Sequence, residues 1–149
     1  MNDLMLIEKE VAEVERRAAE LTTREGRLDV TQRMLEVFGV LETFGYRPPE
    51  GNGVHIASSW VAVLEEYIAV YGMDVIKKAV IEFVKTDSRS FKGWPVPSDL
   101  IQVIKKVGGK DPRLVKAKLV QQQREEKIIE QWKKESKDYE QRTANRQTN

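Results

Sequence analysis

Apolar residues in this chain return at intervals of three and four, and no run alternates at an interval of two for long enough to make a strand. That spacing confines the fold to helices packed through apolar stripes. Proline occurs only at residues 48, 49, 95, 97 and 112, so it separates the helical stretches and does not interrupt them. With 149 residues, 40% of them hydrophobic and 33% charged, the chain can fill one core with much surface left over, but not two independent cores. The expected fold is all-α: a compact bundle of about four helices at residues 28–109, flanked by a heptad helix at 1–27 and a long polar helical tail at 110–149 with a disordered end.

The amino-terminal segment carries the most regular pattern. Leu4, Ile7, Val11, Val14, Ala18 and Leu21 step by three and four without a miss, making three heptads of a seam. Asn2 or Asp3 can cap its start and Gly26 can stop it, while Glu8, Glu10, Glu15 and Arg17 flank it. Two occupants are open: the seam pairs with a second copy or another protein, or it lies on the chain's own core.

In the central region, Asp29 and Gln32 have capping-box spacing ahead of a stripe of Met34, Phe38, Leu41 and Phe44. Tyr46 to Gly53 reads as a loop, because two prolines forbid helix there and the glycines favour left-handed turns. Ser58 or Ser59 is then placed to cap a helix over Trp60–Tyr71 that ends at Gly72, and Asp74 to start another that reaches about Lys85. The next segment, Phe91-Lys92-Gly93-Trp94-Pro95-Val96-Pro97-Ser98-Asp99, is a rigid elbow. Its prolines hold Trp94 and Val96 extended, and Ser98 and Asp99 can accept hydrogen bonds from the free N–H groups of the helix that follows. Phe91 and Trp94 are expected to plug the core between the two flanking helices. After the elbow, Leu100, Ile101, Ile104 and Val107 share a face, and Gly108-Gly109 stops the helix.

Asp111-Pro112 opens the tail with an acidic cap followed by proline at the first helical position. From there the chain favours helix to about Tyr139 but is polar almost all round, and Arg142–Asn149 is expected to be irregular. Its later apolar groups are Ile128, Ile129, Trp132 and Tyr139, with Ile128, Trp132 and Tyr139 on one face. Either they dock into a partner's groove, or Trp132 folds back on the domain. Residues 111–149 hold ten basic and seven acidic groups, a balance that suits a solvated helix better than a phosphate-binding one.

Composition points away from catalysis. There is no cysteine and one histidine, His55, read as a loop residue, so neither a Cys-His nucleophile pair nor a His-rich metal site can be built. Glu65 and Glu66 are neighbours on a helix and point different ways, and Lys106 to Lys110 lacks the spacing of a nucleotide-binding loop. The expectation is a non-enzyme without cofactor or metal, soluble and cytoplasmic. No apolar run is long enough for a bilayer, and Met1–Ile7 lacks the basic start of a secretory signal.

The order of residues carries a resemblance. A first helix, then Trp60, Leu64 and Tyr67, then an alanine-containing helix with Ala79, then Phe91, Trp94, Pro95, Pro97, Ser98 and Asp99, resembles bacteriophage replicative-helicase loaders. The likeness is to the small helical loaders of phages of Gram-positive bacteria and, in the elbow, to the lambda-type replication protein P. It covers a little over half of the chain. It implies a DNA replication protein that binds a hexameric replicative helicase in the host bacterial cytoplasm and loads or restrains it without an ATPase of its own. An origin-binding protein and a weak DNA contact are further partners it allows. An oligomeric adaptor or inhibitor of a host protein, and a DNA-binding module using Arg47, Lys77, Lys78, Lys85, Arg89 and Lys92, are the alternatives the residues leave open.

Overall fold

The computed structural model describes residues 3–148 and is all-α. Six helices follow one another: α1 (Asp3–Leu21), α2 (Arg24–Thr43), α3 (Gly53–Tyr71), α4 (Met73–Thr86), α5 (Pro97–Gly108) and α6 (Pro112–Thr148). The only β pairing among the described residues is an isolated parallel bridge between Arg47 and Gly93, with the Arg47 N–H donating to the Lys92 carbonyl at 3.1 Å.

Helix α3 is central because it is apolar on more than one side. Ala57, Trp60, Val61, Leu64, Ile68, Ala69 and Val70 are all buried, and α1, α2, α4 and α5 pack around it. Met34 and Leu41 of α2, Ile76 and Val80 of α4, and Leu100 and Ile104 of α5 complete the core. Each such side chain contributes roughly 1.5–3 kcal/mol of burial free energy.

The helix boundaries differ from expectation at three places, each for a local reason. Gly26 does not stop α1; it lies in the first turn of α2, where Thr23 Oγ1 accepts its N–H at 3.0 Å. A Cβ there would lie 2.0 Å from the Glu20 carbonyl oxygen, so the α1–α2 turn closes only on glycine. The expected domain boundary at residue 28 therefore falls inside a helix, and Asp29 and Gln32 sit beyond the cap. Helix α3 starts at Gly53, not Trp60, because Asn52 Oδ1 accepts the N–H groups of Val54 (3.0 Å) and His55 (3.4 Å). His55 is thus a helical residue, and Ser59 only donates back to the His55 carbonyl. Finally, α6 runs on to Thr148 where irregular chain was expected from Arg142, since no glycine or proline follows Pro112 to break it. Asn2 and Asn149 lie outside the described residues.

Candidate functional site

The start of α6 is tightly fixed. Asp111 caps it, accepting the Arg113 N–H at 2.9 Å, and the Arg113 guanidinium binds both of its carboxylate oxygens. Those hydrogen bonds hold the Asp111 carboxyl below the usual carboxylate range. Arg113 also reaches Glu66 of α3 at 3.5 Å, and Tyr71 donates its hydroxyl to the Gly109 carbonyl at 2.8 Å. Helix α6 packs on α1, and its half-buried apolar residues Val115, Leu119 and Val120 all precede Gln121.

From Gln121 to Arg146 every residue is exposed. At 1.5 Å per residue that is about 39 Å of helix standing clear of the bundle. Ile128, Ile129, Trp132 and Tyr139 are all on this stretch, with Trp132 64% and Tyr139 72% exposed. The alternative in which Trp132 folds back on the domain is not what the chain does. Trp132, Glu135, Ser136, Tyr139 and Glu140 frame a shallow recess on one face of the helix.

The amino-terminal seam is occupied from within. Ile7, Val11, Val14 and Leu21 are buried where α1 meets α2, α3 and α6, Leu4 is half-buried, and Ala18 is exposed. Pairing of two copies through these six residues is corrected accordingly, because the chain's own helices already cover four of the six. Arg17, read as a flanking charge, turns inward: its Nε and Nη2 donate to the Ala69 and Val70 carbonyls at 2.8 Å each. These carbonyls belong to the last turn of α3, the negative end of its dipole.

The elbow divides into a packed half and an exposed half. Trp94 is half-buried, edge-on to Phe38 with ring centroids 5.1 Å apart, and Phe38 in turn meets Trp60 at 4.9 Å. The Trp94 Nε1–H is buried without an acceptor, at a cost of about 1–3 kcal/mol, so this ring is placed for its shape. Phe91 is 70% exposed, which corrects its assignment as a core plug: Lys92 is held to Arg47 by its backbone, and Phe91 is left on the solvent side. Pro95 is buried and Pro97 half-buried, opening α5. Asp99 Oδ2 accepts the Val96 N–H at 3.1 Å, while Ser98 is exposed. Phe44, expected on the buried stripe of α2, is exposed at its C-terminus. Of the other residues in the resemblance, Trp60, Leu64 and Ala79 are buried, and Tyr67 is half-buried with Lys105 Nζ 5.9 Å from its ring centre.

One polar cluster escaped the sequence reading. The Tyr46 hydroxyl donates to Asp87 Oδ2 at 2.5 Å, Arg89 binds both oxygens of the same carboxylate, and Lys92 Nζ donates to the Asp87 carbonyl at 2.9 Å. The Asp87 carboxyl is held far below the usual range, first by Arg89 and then by Tyr46; burial, and next the carboxylate, push the Tyr46 hydroxyl up to about 12. Tyr46 and Asp87 are 41 residues apart, and no local signal joins them.

Among the described residues no three His, Asp or Glu side chains are placed to hold a metal ion, and no helix is long and apolar enough to cross a membrane. The arrangement offers a surface for binding: a projecting helix with an apolar stripe, fixed at its base to a packed bundle. No protein family, no curated protein and no solved structure matches this chain.

Proposed function

We propose that the chain is a DNA replication protein of the phage type that binds a hexameric replicative helicase through the stripe on α6 and loads or restrains it without chemistry of its own. The observation that carries the proposal is the exposure of Ile128, Ile129, Trp132 and Tyr139 on a helix that stands clear of its bundle. Aromatic side chains presented this way are typical anchors in a partner's apolar groove. The identity of the partner comes from the resemblance at Trp60, Leu64, Tyr67 and Phe91 to Asp99. Loading by binding energy alone requires the protein to favour an open ring by several kcal/mol over a closed one.

The test is calorimetric titration of the full chain and of a truncation after Val120 against purified helicase. That cut keeps the half-buried base of α6 in place, so the bundle stays intact. The truncation is expected to bind at least tenfold more weakly, about 1.4 kcal/mol. Equal affinity removes the stripe from the mechanism, and no binding by the full chain removes the helicase. Loading and restraint separate by whether the chain raises or lowers DNA unwinding by that helicase.

A DNA contact ranks second. Exposed Phe91 lies beside Lys92, on the segment paired with Arg47, which suits base stacking next to cations. Asp87, however, engages both Arg89 and Lys92. Such binding would weaken steeply with salt, whereas an apolar dock would not.

A further inference from the structure

Trp132 and Tyr139 stand 64% and 72% exposed on one side of a bare helix, with Ile128 and Ile129 beside them, so the free protein presents an apolar strip that a second helix can cover. The stripe is nearly neutral: Gln121 to Arg146 carries seven basic and six acidic residues, so repulsion does not keep two copies apart. Along it two rows run at seven-residue spacing, one of Gln121, Ile128, Glu135 and Arg142, the other of Glu125, Trp132, Tyr139 and Arg146. A parallel pair would set Glu135 against Glu135 and Arg142 against Arg142. An antiparallel pair with its two-fold axis between residues 133 and 134 sets each row against the other and resolves both conflicts. Ile128 then meets Tyr139 of the other copy, and Glu125 meets Arg142. Moving that register by one heptad in one direction opposes Glu135 to Glu125, and in the other sets Ile128 against Arg146.

The recess seen on α6 fits the same register. Trp132, Glu135, Ser136 and Tyr139 stand at the four positions of a knobs-into-holes socket, and the residue brought over it by the two-fold is Trp132 of the second copy. We propose that α6 pairs with α6 of a second copy of this chain in this antiparallel register, forming an isologous dimer closed at both ends by Glu125–Arg142 ion pairs. The consequence rests on the helicase reading: the dimer covers the stripe that docks, so docking displaces the second copy. The pairing itself does not rest on it.

Sedimentation equilibrium of the full chain alone tests the pairing. Between about 5 and 500 μM the mass is expected to rise from one chain to two, as a modest isologous contact requires. Glu125→Arg and Arg142→Glu are each expected to weaken the dimer at least about tenfold, since each puts like charges opposite one another at two symmetric places. The double variant is expected to return to within about threefold of the parent. Rescue within one helix is excluded, because the two residues are about 26 Å apart along the axis. Far-ultraviolet circular dichroism checks that all variants keep their helix. A parent that stays monomeric throughout, or a double variant as weak as the singles, overturns the pairing and leaves the helicase titration untouched.

Discussion

Gly108→Ala should destabilise this protein, although at most helix ends with a negative φ the same change is neutral or helpful. Gly108 is the last residue of α5 and is not among the glycines with positive φ. Its backbone therefore tolerates a side chain, and reducing the freedom of the unfolded chain should gain about 0.4–1 kcal/mol. Opposing this, a Cβ at 108 would lie 2.5, 2.7 and 2.8 Å from three atoms of the Tyr71 ring. That ring cannot swing freely, because its hydroxyl is tied to the Gly109 carbonyl at 2.8 Å. Overpacking of this kind costs about 1–3 kcal/mol, so the net expectation is a loss of about 1–2 kcal/mol. The decisive comparison is the same substitution in a Tyr71→Ala background, where the obstacle is gone and Gly108→Ala should stabilise by about 0.5 kcal/mol. Urea unfolding followed by circular dichroism on the four proteins measures both. If Gly108→Ala is neutral or stabilising in the parent, or equally harmful in both backgrounds, the ring contact does not govern the α5–α6 junction.

Two neighbouring arginines should behave differently. Arg17→Ala removes two hydrogen bonds from a half-buried guanidinium to the α3 carbonyls and should cost about 1–3 kcal/mol in urea unfolding, whereas Arg16→Ala, whose pairs with Glu13 and Glu20 are solvent-exposed, should leave the unfolding midpoint almost unmoved. The Tyr46–Asp87 cluster should shape stability at both pH extremes. Asp87 has a depressed folded pKa, so its contribution is present above the ordinary carboxylate value near 4 and is lost as pH falls below it; Tyr46 has a raised folded pKa, so its contribution is present below about 10 and is lost between there and about 12. Unfolding free energy measured against pH should lose the acid slope in Asp87→Asn and the alkaline slope in Tyr46→Phe, and unchanged profiles would refute the assignment.

Elements whose ends are marked by their own residues were legible in the chain: Gly72 between α3 and α4, Gly109 after α5, and Asp111-Pro112 at the head of α6. Where several residues suit the same role, sequence alone points to the wrong one. Ser58 and Ser59 look like the caps of α3, but Asn52, in the loop before them, accepts the Val54 and His55 N–H groups and starts the helix two turns earlier. Gly26 looked like a stop because glycine ends helices, but here it is required by the approach of Glu20. Phe91 and Phe44 look as apolar as Trp94 and Phe38, and only the fold puts them outside, Phe91 beside the Arg47–Lys92 backbone pairing and Phe44 at the C-cap of α2. The α1 seam illustrates a broader limit: periodicity specifies that a face needs cover, not whether the cover comes from the same chain. The stripe of α6 was legible for the same reason, and its exposure required the fold.

The fixed base of α6 makes the projecting part a lever. Three attachments surround its first turns: the cap at Asp111, the Arg113–Glu66 ion pair, and the packing on α1, itself clamped to α3 by Arg17. A tilt of about 10° at that base would carry the far end of this 37-residue helix, about 55 Å long, through about 10 Å. The same arm works in reverse, since a partner that pulls on Trp132 or Tyr139 applies torque at the α5–α6 junction, where Tyr71 holds the Gly109 carbonyl. Small rearrangements beside Tyr71 and large displacements of whatever grips the stripe are thereby the two ends of one motion.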